Sequence, residues 1–338
     1  MLRWSLLRIL WACVSLLGVT FVTFLVLDLA PIDRAALEVA KRTEHVESSA
    51  GSDRDVALAR LRIRYGLVDA VTLQPVPVIR RYGTWLSNAA RFRFCGPGED
   101  PVEWQARLLR AVPVSLLLGS LALVLALAIG IPLGAWLGMR TGSRADRMAS
   151  GTMFVVAGLP DVLVATLLLL WFAGPVFDWF PASGLMSDGE ASGWLAALLD
   201  RAHHLVLPVV VMAIGPILLI VRFLRESVAR TSAMPFAQNL EAWGFEPAQR
   251  RRRVLRAALS PLATLTGSLL PMLVAGSIVV ETVFSIEGVG RLAWAAVQSQ
   301  DHAMVMAVTL GMSATTLAGF VLSDLLHRAV DPRVRLAA

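Results

Sequence analysis

Few side chains in this 338-residue sequence stand where they could do chemistry. Asp161 is the main mid-stretch carboxylate: it follows Pro160 near the centre of the apolar run 148–177. A charge at bilayer mid-depth costs about 2.5–3.5 kcal/mol on insertion scales, so it must face a protein interior or a wet cavity. Two roles fit it: lining a solute path that favours cationic or amine-bearing cargo, or pairing with a polar group of a partner chain. Glu281 opens the segment 281–300, where Gly288 and Gly290 permit a tight turn before a short helix from Arg291. That segment reads either as a gate or as an ordinary turn. No HExxH, GxSxG or P-loop string occurs. The adjacent pair His203-His204 has no second cluster to complete a metal site. No catalytic residue, cofactor or metal is expected.

The elements that must position these residues are apolar and long. Uncharged or nearly uncharged stretches run over 9–27, 111–139, 148–177, 205–221, 259–280 and 303–326. Each is about the 20 residues that a helix needs to cross some 30 Å of hydrocarbon. They lack strand-like alternation, and only helices or closed barrels satisfy their backbone in lipid. Composition agrees, with 56% hydrophobic and 17% charged residues and a mean hydropathy of +0.66. A pI near 10.5 raises nucleic acid as a partner, but the charges punctuate membrane stretches, so none is expected. The expected fold is an all-α membrane protein of six transmembrane helices. Its divisions are 1–30 for the first helix, 31–110 for a large external segment, and 111–338 for a core with five helices.

Orientation follows from the basic residues in the short loops. Sixteen lie in the N-terminus, the loops 140–147 and 222–256, and the C-terminus, against Arg201 and Arg291 on the opposite side. Both termini are therefore expected in the cytoplasm. A signal peptide has an apolar core of 7–15 residues, shorter than the 19 uncharged residues of 9–27, so the first stretch reads as a retained helix. Cys13 in that helix and Cys95 in the external segment cannot pair. Within the external segment, 34–47 and 54–65 have helix-forming composition. Residues 78–93 place apolar and basic residues at helical spacing, as a helix lying on the bilayer would.

The loop at about 222–258 carries a pattern of its own. Phe236–Trp243 reads as a short helix, Gly244 as its left-handed stop, and Pro247 as the first position of a basic helix running into the fifth stretch. Helix, glycine turn, helix makes a compact knob that could dock in a groove of a soluble partner. An ordinary basic loop is the alternative.

Eight strings occur in the order of a known family: Asp28-Leu29-Ala30-Pro31, Tyr65-Gly66-Leu67, Ile129-Gly130-Ile131-Pro132-Leu133-Gly134, Leu159-Pro160, Phe180-Pro181-Ala182-Ser183-Gly184-Leu185, Val280-Glu281-Thr282-Val283-Phe284-Ser285, Gly288-Val289-Gly290-Arg291-Leu292 and Asp331-Pro332-Arg333-Val334-Arg335-Leu336. Over nearly its whole length the chain resembles the inner-membrane permease subunit of ABC importers of the oligopeptide/dipeptide/nickel class. The resemblance implies a bacterial inner-membrane location and alternating access driven by ATP hydrolysis in separate subunits. The implied partners are a second homologous permease, two ABC ATPase subunits, an extracytoplasmic solute-binding protein and the lipid bilayer. It also makes the knob an ATPase-coupling loop, with Phe236, Glu241, Ala242, Gly244, Phe245 and Pro247 as its residues. The family's EAA positions are here Gln238, Asn239 and Leu240, so the acidic residue and both alanines are absent. Di- or oligopeptide is the expected solute, with nickel or another small solute as the alternative. An ion-coupled secondary transporter is the reading from a different class, distinguished by whether transport needs ATP.

Overall fold

The computed structural model describes residues 2–29, 51–94, 101–187, 193–259 and 277–330, together with 36, 39, 262, 265 and 269. Among them the regular structure is helical: α1 (Leu2–Leu29), α2 (Gly51–Arg64), α3 (Val78–Ala90), α4 (Pro101–Gly138), α5 (Arg144–Ala157), α6 (Asp161–Phe172), α7 (Trp194–Ser232), α8 (Pro235–Ala242), α9 (Pro247–Leu259), α10 (Ile278–Val283), α11 (Val289–Gln298) and α12 (His302–Val330). Four helices are long and apolar enough to cross a membrane, or five if the bent pair α5–α6 is one span. The stretch 259–280 falls largely outside the described residues, as do 40–50 and Cys95.

The apolar run 148–177 is not the continuous helix that its hydropathy suggests. It breaks at Gly158-Leu159-Pro160, and α5 and α6 meet at 98°. The cause is local. Proline disfavours helical backbone at the residue before it and cannot donate to the preceding turn. Pro160, with φ −61° and ψ 139°, caps a new helix instead. The run 205–221, in contrast, is only the middle of α7, whose 39 residues span about 58 Å at 1.5 Å per residue. That is nearly twice the hydrocarbon thickness, more than a single span requires.

The chain divides into two compact units, 1–109 with 292–314, and 110–291 with 315–338. In the first, α3 packs against α1. Tyr82 shares a 2.9 Å hydrogen bond with the Thr20 hydroxyl and sets its ring edge-on to Phe21 and Phe24. The Arg81 guanidinium donates two hydrogen bonds to the Asp28 carboxylate, one of them 2.8 Å. The amphipathic face of 78–93 thus has a protein partner in α1, beyond the bilayer surface that its pattern suggests. After α2, the Asp69 carboxylate accepts from the Thr72 and Val71 amides, at 3.0 and 2.9 Å. Those amides hold it below the usual carboxylate range.

In the second unit, α4 lies against α7 along a stripe of glycines. A methyl on Gly130 would meet Ile220 Cγ2 at 2.8 Å, one on Gly134 the Val221 carbonyl oxygen at 2.9 Å, and one on Gly138 Val228 Cβ at 2.6 Å. The four-residue spacing puts all three on one helix face, the geometry by which membrane helices approach most closely. The first turn of α5 is tied to α7 as well: the Arg225 guanidinium donates two hydrogen bonds to Asp146, one of 2.8 Å to Oδ2. Asp146 also caps the turn by accepting from the Gly142 amide at 2.8 Å. The Arg225 hydrogen bonds are the chief cause that holds the Asp146 carboxyl at about 2. α9 docks on the same helix: its Val254 and Ala258 are buried, and the Ser227 hydroxyl donates to the Ala258 carbonyl at 2.9 Å.

Candidate functional site

The knob forms from the residues whose types announce it. Proline at the first position opens α8 and again α9. It is tolerated there because that backbone N–H would be unpaired in any case. Between the helices Gly244 has φ +75°, a conformation that costs an L-residue roughly 1–2 kcal/mol. A methyl added at Gly244 would meet no atom within 4 Å. The glycine is therefore required by backbone conformation alone and not by crowding. The Phe245 amide closes the turn by donating to the Leu240 carbonyl at 3.1 Å, and Arg253 stacks over the Phe245 ring at 4.2 Å. Leu240 is buried, which anchors α8. Met234, Phe236 and Trp243 are exposed, Trp243 to 70%. Of the expected coupling residues, Ala242, Gly244, Phe245 and Pro247 form or flank this turn, Phe236 stands at the start of α8, and Glu241 lies near its end. The knob thus presents an apolar, aromatic tip on a base fixed to α7.

A second constellation assembles around Glu281. Its side chain is fully buried and sits in α10, not in a loop as its place after the fifth apolar stretch suggests. Ser115 of α4 donates its hydroxyl to Glu281 Oε1 at 2.8 Å. The Arg291 amide donates to Oε2 at 2.9 Å. The Val289 amide in turn donates to the Ser115 oxygen at 2.8 Å. Gly288 and Gly290 press against this knot. A methyl on Gly288 would fall 2.4 Å from Glu281 Cδ, and one on Gly290 2.8 Å from the Ile278 nitrogen. Neither glycine has positive φ; the left-handed residue of this turn is Ser285, at φ 54°. Both glycines are needed for the space they leave in the tight turn, and not for a left-handed backbone.

Strings far apart in sequence meet here. Phe180 and Leu185 pack on the cluster that contains Val280, Phe284 and Ile286, and the Gly184 amide, at φ +81°, donates to the Phe284 carbonyl at 3.0 Å. His203 joins the Trp179 carbonyl at 2.7 Å, and Ser187 donates to Asp200 through its amide and hydroxyl, both at 2.8 Å. The Ser187 amide is the chief cause that holds Asp200 below the usual carboxylate range. Ser115 had no distinguishing signal in the sequence: it is one hydroxyl in an apolar run, and only the fold shows it to be the link between α4 and Glu281. The Asp146–Arg225 pair was equally silent among the many short-loop charges.

Asp161 stands elsewhere. It is the first residue of α6, at the 98° break, and it is exposed. The N-terminus of a helix favours a carboxylate by about 0.3–1 kcal/mol, which offsets part of the cost of a charge at bilayer depth. Among the described residues no group of three or more His, Cys, Asp or Glu side chains could hold a metal ion.

A transport protein of the inner membrane is the class that these features define: apolar helices, a protruding knob and a signature turn tied to α4. Residues 130–336 match the family model described as "Binding-protein-dependent transport system inner membrane component". The chain is 28% identical over 329 residues to the oligopeptide transport system permease protein AppB of Bacillus subtilis, covering 97% of each chain. It is 32% identical over 272 residues to the oligopeptide transport system permease protein OppB of Mycobacterium bovis, covering 77% of this chain and 82% of that one. It is 29% identical over 262 residues to the dipeptide transport system permease protein DppB of B. subtilis, covering 77% and 80%. The chain belongs to the family of inner-membrane components of binding-protein-dependent transport systems, and is a multi-pass permease of the bacterial inner membrane.

Proposed function

We propose that this permease forms half of the translocation path of an ATP-driven importer for di- or oligopeptides. A second homologous permease supplies the other half, two ABC ATPase subunits the energy, and an extracytoplasmic binding protein the solute. The relatives named above carry oligopeptides or dipeptides, which supports peptide over nickel. In this reading the chain has six spans with both termini in the cytoplasm and catalyses no covalent step itself.

The observation that carries the reading is the knob. Phe236, Trp243 and the Gly244 turn protrude, while Leu240 of α8 and Val254 and Ala258 of α9 are buried. Motion of an ATPase cleft around the tip is thereby delivered to α7. From α7 it passes to α4 through the Gly130, Gly134 and Gly138 contacts, and to α5 through the Asp146–Arg225 pair. From α4 it reaches the Glu281 turn through Ser115. The segment 281–291 thus acts as a gate that moves as a body with α4, and not as a floppy loop. Asp161, exposed at the α5–α6 break, lines the solute path and favours cargo bearing an amine. The states of such a cycle interconvert only as far as ATP, binding protein and solute bind them differently.

The test is reconstitution of the four-subunit complex with its binding protein in proteoliposomes. Peptide uptake should require ATP, and Asp161→Asn should slow cationic peptides more than neutral ones. Uptake driven by a proton or sodium gradient without ATP would instead assign the chain to the ion-coupled class. For orientation, Cys95 in a Cys13→Ala background should react with an impermeant maleimide from outside, and a cysteine at Ser143 only after the membrane is opened.

A further inference from the structure

Two uncharged stretches end in arginine on one face of the protein. Arg140 is the first charge after 111–139, and Arg256 is the last before 257–280. Their neighbours Met139, Leu255 and Leu259 pack into a single cluster around Leu224, Val228 and Ala258. Both arginines therefore leave the apolar layer at about the same level. Arg252 lies one turn before Arg256, and positions 252, 255, 256 and 259 form one stripe of α9. All three arginines are exposed, and none has a carboxylate at ion-pair distance among the described residues. The Arg140 guanidinium stacks 4.7 Å above the ring of Trp136, which is itself 43% exposed. Tryptophan settles at the polar edge of a bilayer, with its apolar body inward.

We propose that Arg140, Arg252 and Arg256, beside Trp136, bind the phosphodiester headgroup of an anionic phospholipid. Guanidinium forks match phosphate oxygens two at a time, and a bound lipid would bridge α4 and α9. Depth favours lipid over an acidic protein groove. Along α9, Arg256 is roughly 4–5 Å from Leu259 at 1.5 Å per residue, inside a headgroup layer about 5–8 Å deep, and Arg252, at about 10 Å, stands just beyond its outer edge, within reach of its long side chain. The knob's end of α9, at Pro247, lies about 18 Å from Leu259 on the same scale, where a soluble subunit has room. The site rests on reading 111–139 and 259–280 as membrane spans; the orientation proposed above decides only which leaflet supplies the lipid.

The experiment uses the full-length permease alone in neutral detergent, titrated with phosphatidylglycerol, phosphatidylcholine or glycerol 3-phosphate, with bound molecules counted by native mass spectrometry. Near an anionic surface each basic side chain contributes about fivefold in binding. The Arg140→Gln/Arg252→Gln/Arg256→Gln variant should therefore retain phosphatidylglycerol at least tenfold more weakly, and up to roughly 100-fold. Phosphatidylcholine should be unaffected. The matching triple lysine variant, which keeps the charges and loses the forks, should bind more weakly than wild type but more tightly than the glutamine variant, and serves as the control for folding. Arg60→Gln/Arg64→Gln, on exposed positions of α2, should change nothing. Equal phosphatidylglycerol retention by the wild type and the glutamine variant would overturn the proposal. So would glycerol 3-phosphate competing as well as the lipid, or a glutamine variant that keeps its lipid but no longer co-purifies with ATPase subunits. Failure of the wild-type chain to assemble with any ATPase would count against the importer reading and leave the lipid result standing.

Discussion

Glutamate 281 offers the sharpest test of the packing described above, because its neighbours predict different costs for different replacements. Glu281→Ala leaves the Ser115 hydroxyl and the Arg291 amide without an acceptor in a fully buried site. Each buried unsatisfied group costs about 1–3 kcal/mol, and the space vacated adds a cavity cost, so about 3–6 kcal/mol is expected. Glu281→Gln has nearly the same shape. Its carbonyl oxygen can accept from the Arg291 amide, and its amide nitrogen can donate to the Ser115 oxygen, which has a lone pair to spare after accepting from Val289. Only the Ser115 hydroxyl proton then lacks an acceptor, so that variant should lose about 1–3 kcal/mol. Ser115→Ala leaves both Glu281 Oε1 and the Val289 amide unpaired, at about 2–6 kcal/mol together. In the double variant Ser115→Ala/Glu281→Ala the Ser115–Glu281 interaction is already gone, so the losses should fall short of their sum by about 1–3 kcal/mol. Thermal unfolding of the purified permease in detergent reads the differences, at roughly 2–4 °C per kcal/mol for a chain of this size. Strict additivity of the two alanine substitutions, or equal melting of Glu281→Gln and Glu281→Ala, would refute the knot as drawn.

Gly244→Val should strain the left-handed turn by about 1 kcal/mol or more while leaving insertion intact, and should lower ATPase assembly or transport-coupled ATP hydrolysis. Because the space around Gly244 is open, Gly244→Asn should recover most of the coupling, which a steric requirement would not allow. Gly138→Ala should cost about 1–3 kcal/mol by overpacking, since the new methyl would meet Val228 Cβ at 2.6 Å and the Arg225 carbonyl oxygen at 2.8 Å; undiminished melting of that variant would rule out the close approach of α4 and α7. The Asp146–Arg225 pair should make stability fall in acid. The folded carboxyl is held at about 2 against an ordinary 3.8. Its contribution, about 2 kcal/mol, is complete above pH 4 and is lost as the pH falls from about 4 to 2. Asp146→Asn should melt lower at pH 7 and show a flatter profile over that window.

How much of this was legible in the sequence depends on what each residue answers to. Backbone chemistry was: Pro235, Gly244 and Pro247 mark the ends of α8 and α9 because their constraints act within one turn, whatever the surroundings. Long apolar runs were legible as helices for the same kind of reason, since lipid leaves their backbone no other partner. What failed was continuity. Hydropathy averages over a window and passed across Gly158-Leu159-Pro160, although Pro160 is a local signal that favours a break; the 98° angle belongs to packing and has no sequence signature. Contact chemistry was not legible at all. Ser115 and Glu281 stand 166 positions apart, and nothing in either residue type names the other.

The glycines mark that boundary most clearly, because one residue type serves three separate demands. Gly244 is present for its φ, and a Cβ there would have room. Gly288 and Gly290 have ordinary φ and are present because a carboxylate and a backbone nitrogen occupy the space that a Cβ would need. Gly130, Gly134 and Gly138 are present so that two helices can touch, and only this last demand leaves a periodic trace in the sequence. In all three cases glycine lies where rigidity is made: a fixed turn, a filled knot and a close helix contact. A segment pinned by Ser115, Glu281 and two glycines that leave no room for a Cβ is suited to move with α4 as a solid piece, and that is the motion the proposed gate requires.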